Sequence, residues 1–302
     1  MPLSDIGARL TPETRGILGI LLAMLLFTCM DSCAKYLLER NGTVMVVWAR
    51  FASQTGLVLA LSAPMLRTCL RTARPGLQLG RSTLHAIATG MFFYALNFMP
   101  LAETVAVFEV APLLITLLAA LVLGEQVGPR RWAGVAIGLC GALIIIRPGL
   151  DVFQPAALLP FGAAISMAGF QIITRLIGTA DLMRTTMIYS GAVGLLASSA
   201  MLPWWWQTPT LADALIMATF GWIGYVGHLA LVYALGQAPA STLAPYNYAG
   251  FLWAILLGLL LFAELPDGPT LAGGAVILGA GIYVWHRERV HGRSAAAALA
   301  AR

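Results

Sequence analysis

Charge is what this chain has least of: Asp, Glu, Lys and Arg make up 10% of its 302 residues, against roughly a quarter in an ordinary soluble domain. A water-soluble fold of this length needs more charge than that to cover its surface, which argues against a soluble enzyme or binding domain. The usual signatures of chemistry are missing too. No Gly-x-Ser-x-Gly, His-Glu-x-x-His or phosphate-binding glycine loop occurs, so the common starting points for acyl transfer, zinc peptidase and nucleotide chemistry are absent. Four cysteines, Cys29, Cys33, Cys69 and Cys140, lack zinc-site or disulfide-framework spacing and read as small apolar fillers. Cys29 and Cys33 lie one helical turn apart, but no His or carboxylate cluster completes a metal site. The sequence calls for no metal and no cofactor.

What is present is apolar: 59% of the residues are hydrophobic. A membrane helix needs roughly 20 such residues to cross about 30 Å of hydrocarbon. Ten runs qualify: Gly16–Leu37, Val44–Leu66, Ser82–Pro100, Glu103–Gly124, Trp132–Ile146, Pro155–Ile177, Thr185–Leu202, Leu211–Leu235, Pro239–Phe262 and Thr270–Trp285. The fifth is short, and Arg130, Arg131 and Arg147 can snorkel at its ends. The first is too long for a cleaved secretory signal and shows no small-residue cleavage site. The expected class is an all-α integral membrane protein with ten transmembrane helices, in a lipid bilayer that we take to be a bacterial inner (plasma) membrane.

Lys and Arg are retained on the cytoplasmic side in short loops. With the N-terminus inside, the inner segments hold Arg9, Arg15, Arg67, Arg71, Arg74, Arg81, Arg130, Arg131, Arg175, Arg184, Arg287, Arg289, Arg293 and Arg302, and the outer ones hold Lys35, Arg40 and Arg147. Both termini are therefore expected in the cytoplasm. The net charge of +5 is then a consequence of topology, and a nucleic-acid partner, which would need a soluble basic face, is not expected. Trp204, Trp205 and Trp206 fall at an outer helix end, where an aromatic belt places them.

The chain also repeats itself. Glu125 and Glu264 lie 139 residues apart, and the same offset brings Trp132 onto Leu271 and Gly134 onto Gly273. A slip of one residue brings Lys35 onto Arg175 and Pro129 onto Pro269. Residues 1–150 and 151–302 then carry five helices each. Five is odd, so the second half enters the membrane from the opposite face, which is the inverted repeat of many secondary transporters.

At these residues the chain resembles the EamA-type branch of the drug/metabolite transporter superfamily. The resemblance runs through Leu113–Arg131, Gly134–Pro148, Leu252–Pro269 and the glycine-rich tenth helix, with Met30–Leu37 and Val46–Phe51 before them, and it covers essentially the whole chain. It implies ten helices and alternating access by two inverted halves around a central cavity, with small-molecule substrates such as amino acids, nucleotides, vitamins and drugs. One departure is that Pro112 has Phe251 at its repeat position, with Pro245 six residues earlier.

A charge inside the bilayer is costly, so intramembrane ionisable residues are the first candidates for function. These are Asp31, Arg50, Glu109, His85 and His228. At about 1.5 Å per residue, the first three reach similar depth, roughly 9 Å below the outer helix ends. As a substrate site, Arg50 holds a carboxylate or pairs with Glu109, while Asp31 or Glu109 takes an ammonium or a coupling proton. As a structural network, the same three hold helices together. Their repeat counterparts, Gln171, Ser190 and Tyr248, are uncharged. Tyr246, Asn247, Tyr248 and Trp253 follow Pro245, which loosens its helix, and Tyr94 and Asn97 are similar groups on the third helix. His85, near the inner end of that helix, and His228 are candidates for proton coupling. Glu125 and Glu264 read as interfacial caps, with Arg130 and Arg131 as partners of the first. Gly134, Gly138, Gly141, Gly273, Gly274, Gly279 and Gly281 form packing faces that join the two halves or build a homodimer, and a monomer is preferred.

An intramembrane enzyme would want a nucleophile facing its base, such as Ser-His or paired Asp. A channel would need a continuous wet path. The sequence therefore leads to a carrier rather than an enzyme: an exporter or exchanger of amino acids and similar metabolites, with a riboflavin-like vitamin carrier as the alternative.

Overall fold

The computed structural model describes residues 11–125, 128–148, 155–178 and 181–300; the side chains of Arg130, Met183, Ala240, Ser241, Ala244 and residues 287–300 are outside that description. The expected boundary between halves at 150/151, together with Arg9 and Arg302, falls outside it as well. Among the described residues there are helices and no strands. In hydrocarbon a helix satisfies its own backbone N–H and C=O groups, which an open sheet cannot do.

The first helix, α1, is Pro12–Ser62. Its start is set by Thr11, whose hydroxyl accepts from Thr14 N–H, and by Pro12 at the first helical position, where the missing amide hydrogen is not needed. It is two arms rather than one rod, because Gly42 sits at φ 69°, ψ 160° and turns the chain back on itself. A side chain there would be strained, so a glycine allows a hairpin with almost no loop. After the short α2 (Leu66–Cys69) come α3 (Pro75–Ala95), α4 (Leu101–Phe108), α5 (Ala111–Val122) and α6 (Pro129–Ile146). The remainder is α7 (Leu158–Ile177), α8 (Met183–Trp205), α9 (Leu211–Gln237), α10 (Ala240–Leu243), a 3-10 turn over Ala244–Tyr248, α11 (Ala249–Phe262) and α12 (Gly268–Ala300).

Seven stretches are long and apolar enough to cross a membrane: Pro12–Cys69, Leu101–Val122, Pro155–Ile177, Arg184–Trp205, Leu211–Gln237, Pro245–Phe262 and Gly268–His286. That number differs from the ten expected for identifiable reasons. Pro12–Cys69 contains both arms of α1. Helix α3 has its hydropathy lowered by Gln78, Arg81 and His85, and α6 is shorter than the rest. The polar residues also correct two assignments made from charge. Arg81 and Lys35, which the charge pattern sets between helices, are buried within α3 and α1 at 6% exposure each. Each is admitted because a partner waits there, Thr174 and Ser190 for the arginine and Glu264 for the lysine.

Small residues set how closely the helices approach. A Cβ built on Gly141 of α6 would stand 2.9 Å from the Gly273 carbonyl oxygen of α12, and one on Gly273 would stand 2.6 Å from the Gly141 oxygen. The α6 and α12 backbones therefore touch directly, and the expected glycine face joins two helices of one chain. Gly274 and Gly281 instead meet Phe251 and Tyr248, and Gly279 has nothing within 4 Å of its Cβ position.

At the end of the bundle opposite Gly42, Asp181 ties the two halves of the sequence. Its carboxylate accepts from the Thr72 hydroxyl at 2.5 Å, the Ala73 amide at 2.9 Å and Gln78 Nε2 at 2.8 Å. Burial works upward on this carboxyl, but hydrogen bonds from Thr72, Gln78 and Ala73 and the charge of Arg74 hold it below the ordinary carboxylate range.

Two outcomes follow for thermal unfolding in detergent. Gly141→Val should cost about 1–3 kcal/mol through overpacking, whereas Gly279→Ala should leave the midpoint where it is. Asp181→Asn should lower the midpoint at neutral pH. Since the folded pKa lies below the unfolded one, the Asp181 contribution is present above the unfolded pKa of about 4 and is lost as pH falls through the folded value, so the two melting curves should converge in acid.

Candidate functional site

The two arms of α1 bring Asp31 and Arg50 to neighbouring positions in the middle of the bundle, where their charges interact. They do not touch: among the described residues no ion pair within 4.0 Å joins them. Arg50 is short of acceptors. Its Nη1 lies against the Met30 sulfur at 2.6 Å, its Nε is buried without a hydrogen-bond partner, and its guanidinium stands 5.7 Å from the Phe93 ring centroid. A thioether is a weak acceptor, so a partly buried guanidinium with five N–H donors is left poorly satisfied.

Two histidines stand close to this pair. His85 packs between Phe51 and Phe170 at centroid distances of 5.9 and 5.1 Å, and its Nδ1 is buried with no partner. His228 Nδ1 lies 2.8 Å from the Gly224 carbonyl, and its ring meets Phe27 edge-on at 5.1 Å. The sequence placed His85 near one end of its helix. Helix α3 begins at Pro75, so His85 is near the middle, and the polar Gln78 and Arg81 are what disguised the first turns as loop.

Glu109 goes elsewhere. It occupies the break between α4 and α5, and its Oε1 stands 3.3 Å from where a Cβ on Gly250 would be. Its electrostatic neighbour is Tyr248, and the expected Arg50–Glu109 pair is not formed. Thr28 spans the two groups, donating to the Met24 carbonyl at 2.9 Å and to Gly250 at 3.5 Å. The one polar layer expected therefore divides into an Asp31–Arg50 part and a Glu109–Tyr248 part.

The break at Glu109 has a companion. Helix α4 stops at Phe108 and helical geometry resumes at Ala111, while the 3-10 turn ends at Tyr248 and α11 starts at Ala249. Glu109 and Tyr248 lie 139 residues apart. The prolines do not match, yet the interruptions do. The reason is that Pro112 deprives its helix of bonds on the preceding turn, whereas Pro245 opens the 3-10 turn itself.

Of the other expected residues, Trp253 is half-buried with its Nε1 unpartnered, Asn247 is half-buried, Tyr246 lies at the edge and Tyr248 is buried. Tyr94, Asn97 and Gln171 do not join the site. Tyr94 is 48% exposed and meets Phe98 edge-on. Asn97 bonds the Thr43 hydroxyl and the Tyr94 carbonyl, both at 3.0 Å, and so closes the end of α3 beside the Gly42 turn. Gln171 faces outward on α7. Among the described residues no group of three or more His, Cys, Asp or Glu is placed to hold a metal ion.

Arg81 is the buried charge that sequence reading missed. Its Nε donates to Thr174 Oγ1 at 2.6 Å, its Nη1 donates to Ser190 Oγ at 2.7 Å and to the Thr186 carbonyl at 3.2 Å, and the guanidinium lies 4.1 Å from the Phe170 ring centroid. It fastens α3 to α7 and α8. Its signal was the run of polar residues at 78, 81 and 85, spaced three to four apart on one helical face.

Comparison with known proteins gives this bundle of apolar helices around a divided polar centre its relatives. The model of the EamA-like transporter family matches residues 14–147, so this part of the chain is similar to that family. The chain is 27% identical to the S-adenosylmethionine uptake transporter of Rickettsia bellii, over 91% of its own length and 94% of that protein. It is 29% identical to the riboflavin transporter of Vibrio cholerae, over 87% and 90% of the two chains. With the pseudopaline exporter of Pseudomonas aeruginosa it shares 26% identity over 87% and 93%. One crystal structure superposes with a TM-score of 0.61 at 20% identity, covering 89% of this chain and 96% of that one, which shows a common fold. The relatives are small-molecule transporters, and a multi-pass membrane protein is what the helices describe.

Because Arg81 is a fastening rather than a free charge, Arg81→Ala should destabilise the bundle by about 1–3 kcal/mol, the cost of unmaking charged hydrogen bonds. Arg81→Lys should recover only part of this in a detergent melt, since an ammonium cannot reproduce the Nε and Nη1 fork.

Proposed function

We propose that this protein is a secondary transporter that exchanges small metabolites bearing an amino-acid group and a planar ring, with S-adenosylmethionine the first candidate. The observation that carries the reading is Arg50, a partly buried guanidinium that lies against the Met30 sulfur, next to an Asp31 it does not pair with. A zwitterion offers each of them its complement, a carboxylate for Arg50 and an ammonium for Asp31. Phe93 stands beside Arg50, and Phe27 and Phe170 beside the neighbouring His228 and His85, and such rings suit a flat substrate ring. The names of the Rickettsia relatives support this chemistry, because S-adenosylmethionine combines both parts. A riboflavin-like substrate is the second reading, favoured by those rings and by the Vibrio relative.

The transport route follows from ten membrane-crossing helices in two inverted halves, 1–150 and 151–302, with both termini cytoplasmic. Packing supports it. Helix α9 lies along the first arm of α1 as α3 lies along α7, and α11 meets α1 as α5 meets α7. Exchanging the halves exchanges the members of each comparison. The second arm of α1 packs on α8, and α6 on α12, so those pairs map onto themselves. Inverted halves of this kind reverse their tilt to open one face at a time. A single chain forms the whole pathway in this reading, and it transports without altering its substrate.

Counterflow into proteoliposomes preloaded with S-adenosylmethionine, methionine or riboflavin tests the substrate. We expect saturable, accelerated uptake of the amino-acid-bearing solutes, and loss of it by about tenfold or more in Arg50→Ala, the scale of one charged hydrogen bond. Exchange of riboflavin alone would favour the second reading, and full exchange by the Arg50 variant would remove the carboxylate clamp.

A further inference from the structure

Two ion pairs stand at opposite ends of the bundle. At the Gly42 end, Lys35 Nζ lies 2.7 Å from Glu264 Oε1, with side-chain exposures of 7% and 28%. The same ammonium donates to the Met99 carbonyl at 3.0 Å, Glu264 accepts from the Leu101 amide at 3.1 Å, and the Phe262 ring centroid is 5.4 Å away. One cluster thus joins α1, the turn between α3 and α4, and the end of α11. At the Asp181 end, Arg175 Nη1 reaches Glu125 Oε1 at 3.5 Å, and both side chains are about half exposed, at 52% and 50%. That pair joins the end of α7 to the end of α5.

The sequence relates the two. The glutamates lie 139 residues apart and the cations 140. Each pair takes its cation from one half of the chain and its acid from the other, so exchanging the halves turns one pair into the other. They differ in state rather than in kind. The Lys35 pair is short, shielded and reinforced by two backbone groups, whereas the Arg175 pair is long and wet, where water screens most of its attraction.

We propose that Lys35–Glu264 and Arg175–Glu125 are the two closures of the transport pathway, made in alternation. This rests on the alternating-access reading above. In this structure the closure at the Gly42 end is made and the one at the Asp181 end is slack. When the halves exchange tilts, Arg175 and Glu125 come together and are shielded, while Lys35 and Glu264 part and hydrate. Neither pair touches the Asp31–Arg50 centre, so they set which face is open and leave recognition to it. Because each closure costs the other, weakening one shifts the population towards its opposite.

Ser32 reports on this without any substrate. It lies one turn inward of Lys35 on α1, is 2% exposed, and its hydroxyl donates to the Thr28 carbonyl. In full-length protein with Cys29, Cys33, Cys69 and Cys140 replaced by alanine, Ser32→Cys is labelled with a membrane-impermeant maleimide from the face that carries Gly42. Lys35→Ala and Glu264→Ala should each raise the labelling rate about fivefold or more, and Arg175→Ala and Glu125→Ala should lower it, on the scale of a typical coupling between sites. The charge-exchanged double variant, Lys35→Glu with Glu264→Lys, should return towards the parent rate. Unchanged labelling in a monodisperse Lys35→Ala protein overturns the proposal, as does a shift in the same direction from both pairs, which would mark general loosening. Should Lys35→Ala not fold, the charge-exchanged variant and Arg175→Ala decide alone, and an Arg175→Ala rate equal to or above the parent overturns it. A labelling pattern as expected with no counterflow of any tested solute would fault only the substrate reading; counterflow with a flat labelling pattern would fault only the closures.

Discussion

Hydrocarbon offers a buried charge nothing to bond, and the arrangement of this protein is largely the answer to that one constraint. Lys35 is the clearest case. An ammonium this well shielded is tolerable because Glu264 and the Met99 carbonyl both receive its protons. To supply them, the end of α11 and the turn before α4 must come to the same place. The Leu101 amide, an unpaired donor at the start of a helix, then finds its acceptor in the same carboxylate. Arg81 imposes the same discipline inside the bundle, drawing Thr174, Thr186 and Ser190 around itself. Arg147 and Asp267 repeat it between the end of α6 and the start of α12, where Asp267 also accepts from the Thr270 amide at 2.9 Å.

Arg50 stands out because it breaks the pattern. A charge that finds complete satisfaction inside the protein is a fastening, and a charge that does not is available. The difference between Arg81 and Arg50 that matters for binding lies in acceptors: hydroxyl and carbonyl oxygens in one case, a sulfur in the other. A transporter has to release what it binds, so a site of moderate complementarity serves it better than a perfect one. In the proposed reading, opposite charges held near each other but unpaired achieve that, because each would be stabilised by the substrate and neither is fully lost without it.

How much of this was legible in the sequence depended on which physical signal each feature leaves. Span positions are legible because an apolar run of sufficient length has few other uses. The glycine face of α6 and α12 is legible because small residues at helical spacing mean close approach. Rotation of a helix about its axis is not, since a helix surrounded by lipid and by other apolar helices has no polar face to mark its outside. Tyr94 and Gln171 face outward for that reason: the sequence does not determine the direction in which a helix presents them. Lys35 and Arg81 were misread for another. Charge was used to mark where helices end, and a charge that finds a partner indoors carries the same letter as one that stays in water. The Lys35–Glu264 contact was nonetheless present in the repeat register, as two anchors noted separately and not paired.

The two halves share a backbone design and divide the chemistry unequally. Both interrupt a helix at the same register, at Glu109 and at Tyr248, by different prolines in different places. An interruption conserved in position but not in cause points to the position itself as what matters: unwound backbone at that depth frees carbonyl groups and lets two segments meet closely, as Gly250 meets Glu109. The charges show the opposite division. Asp31, Arg50 and Glu109 belong to residues 1–150, and their counterparts Gln171, Ser190 and Tyr248 are neutral. On the proposed alternating-access reading, motion of the whole requires both halves to be able to take both shapes, which accords with a frame and end ion pairs that are duplicated. Recognition requires a substrate to bind in one orientation, and a site with charges from one half alone is polar along a single direction. Symmetry in the moving parts and asymmetry in the binding parts therefore satisfy two different demands on one chain, and neither could be met by extending the other.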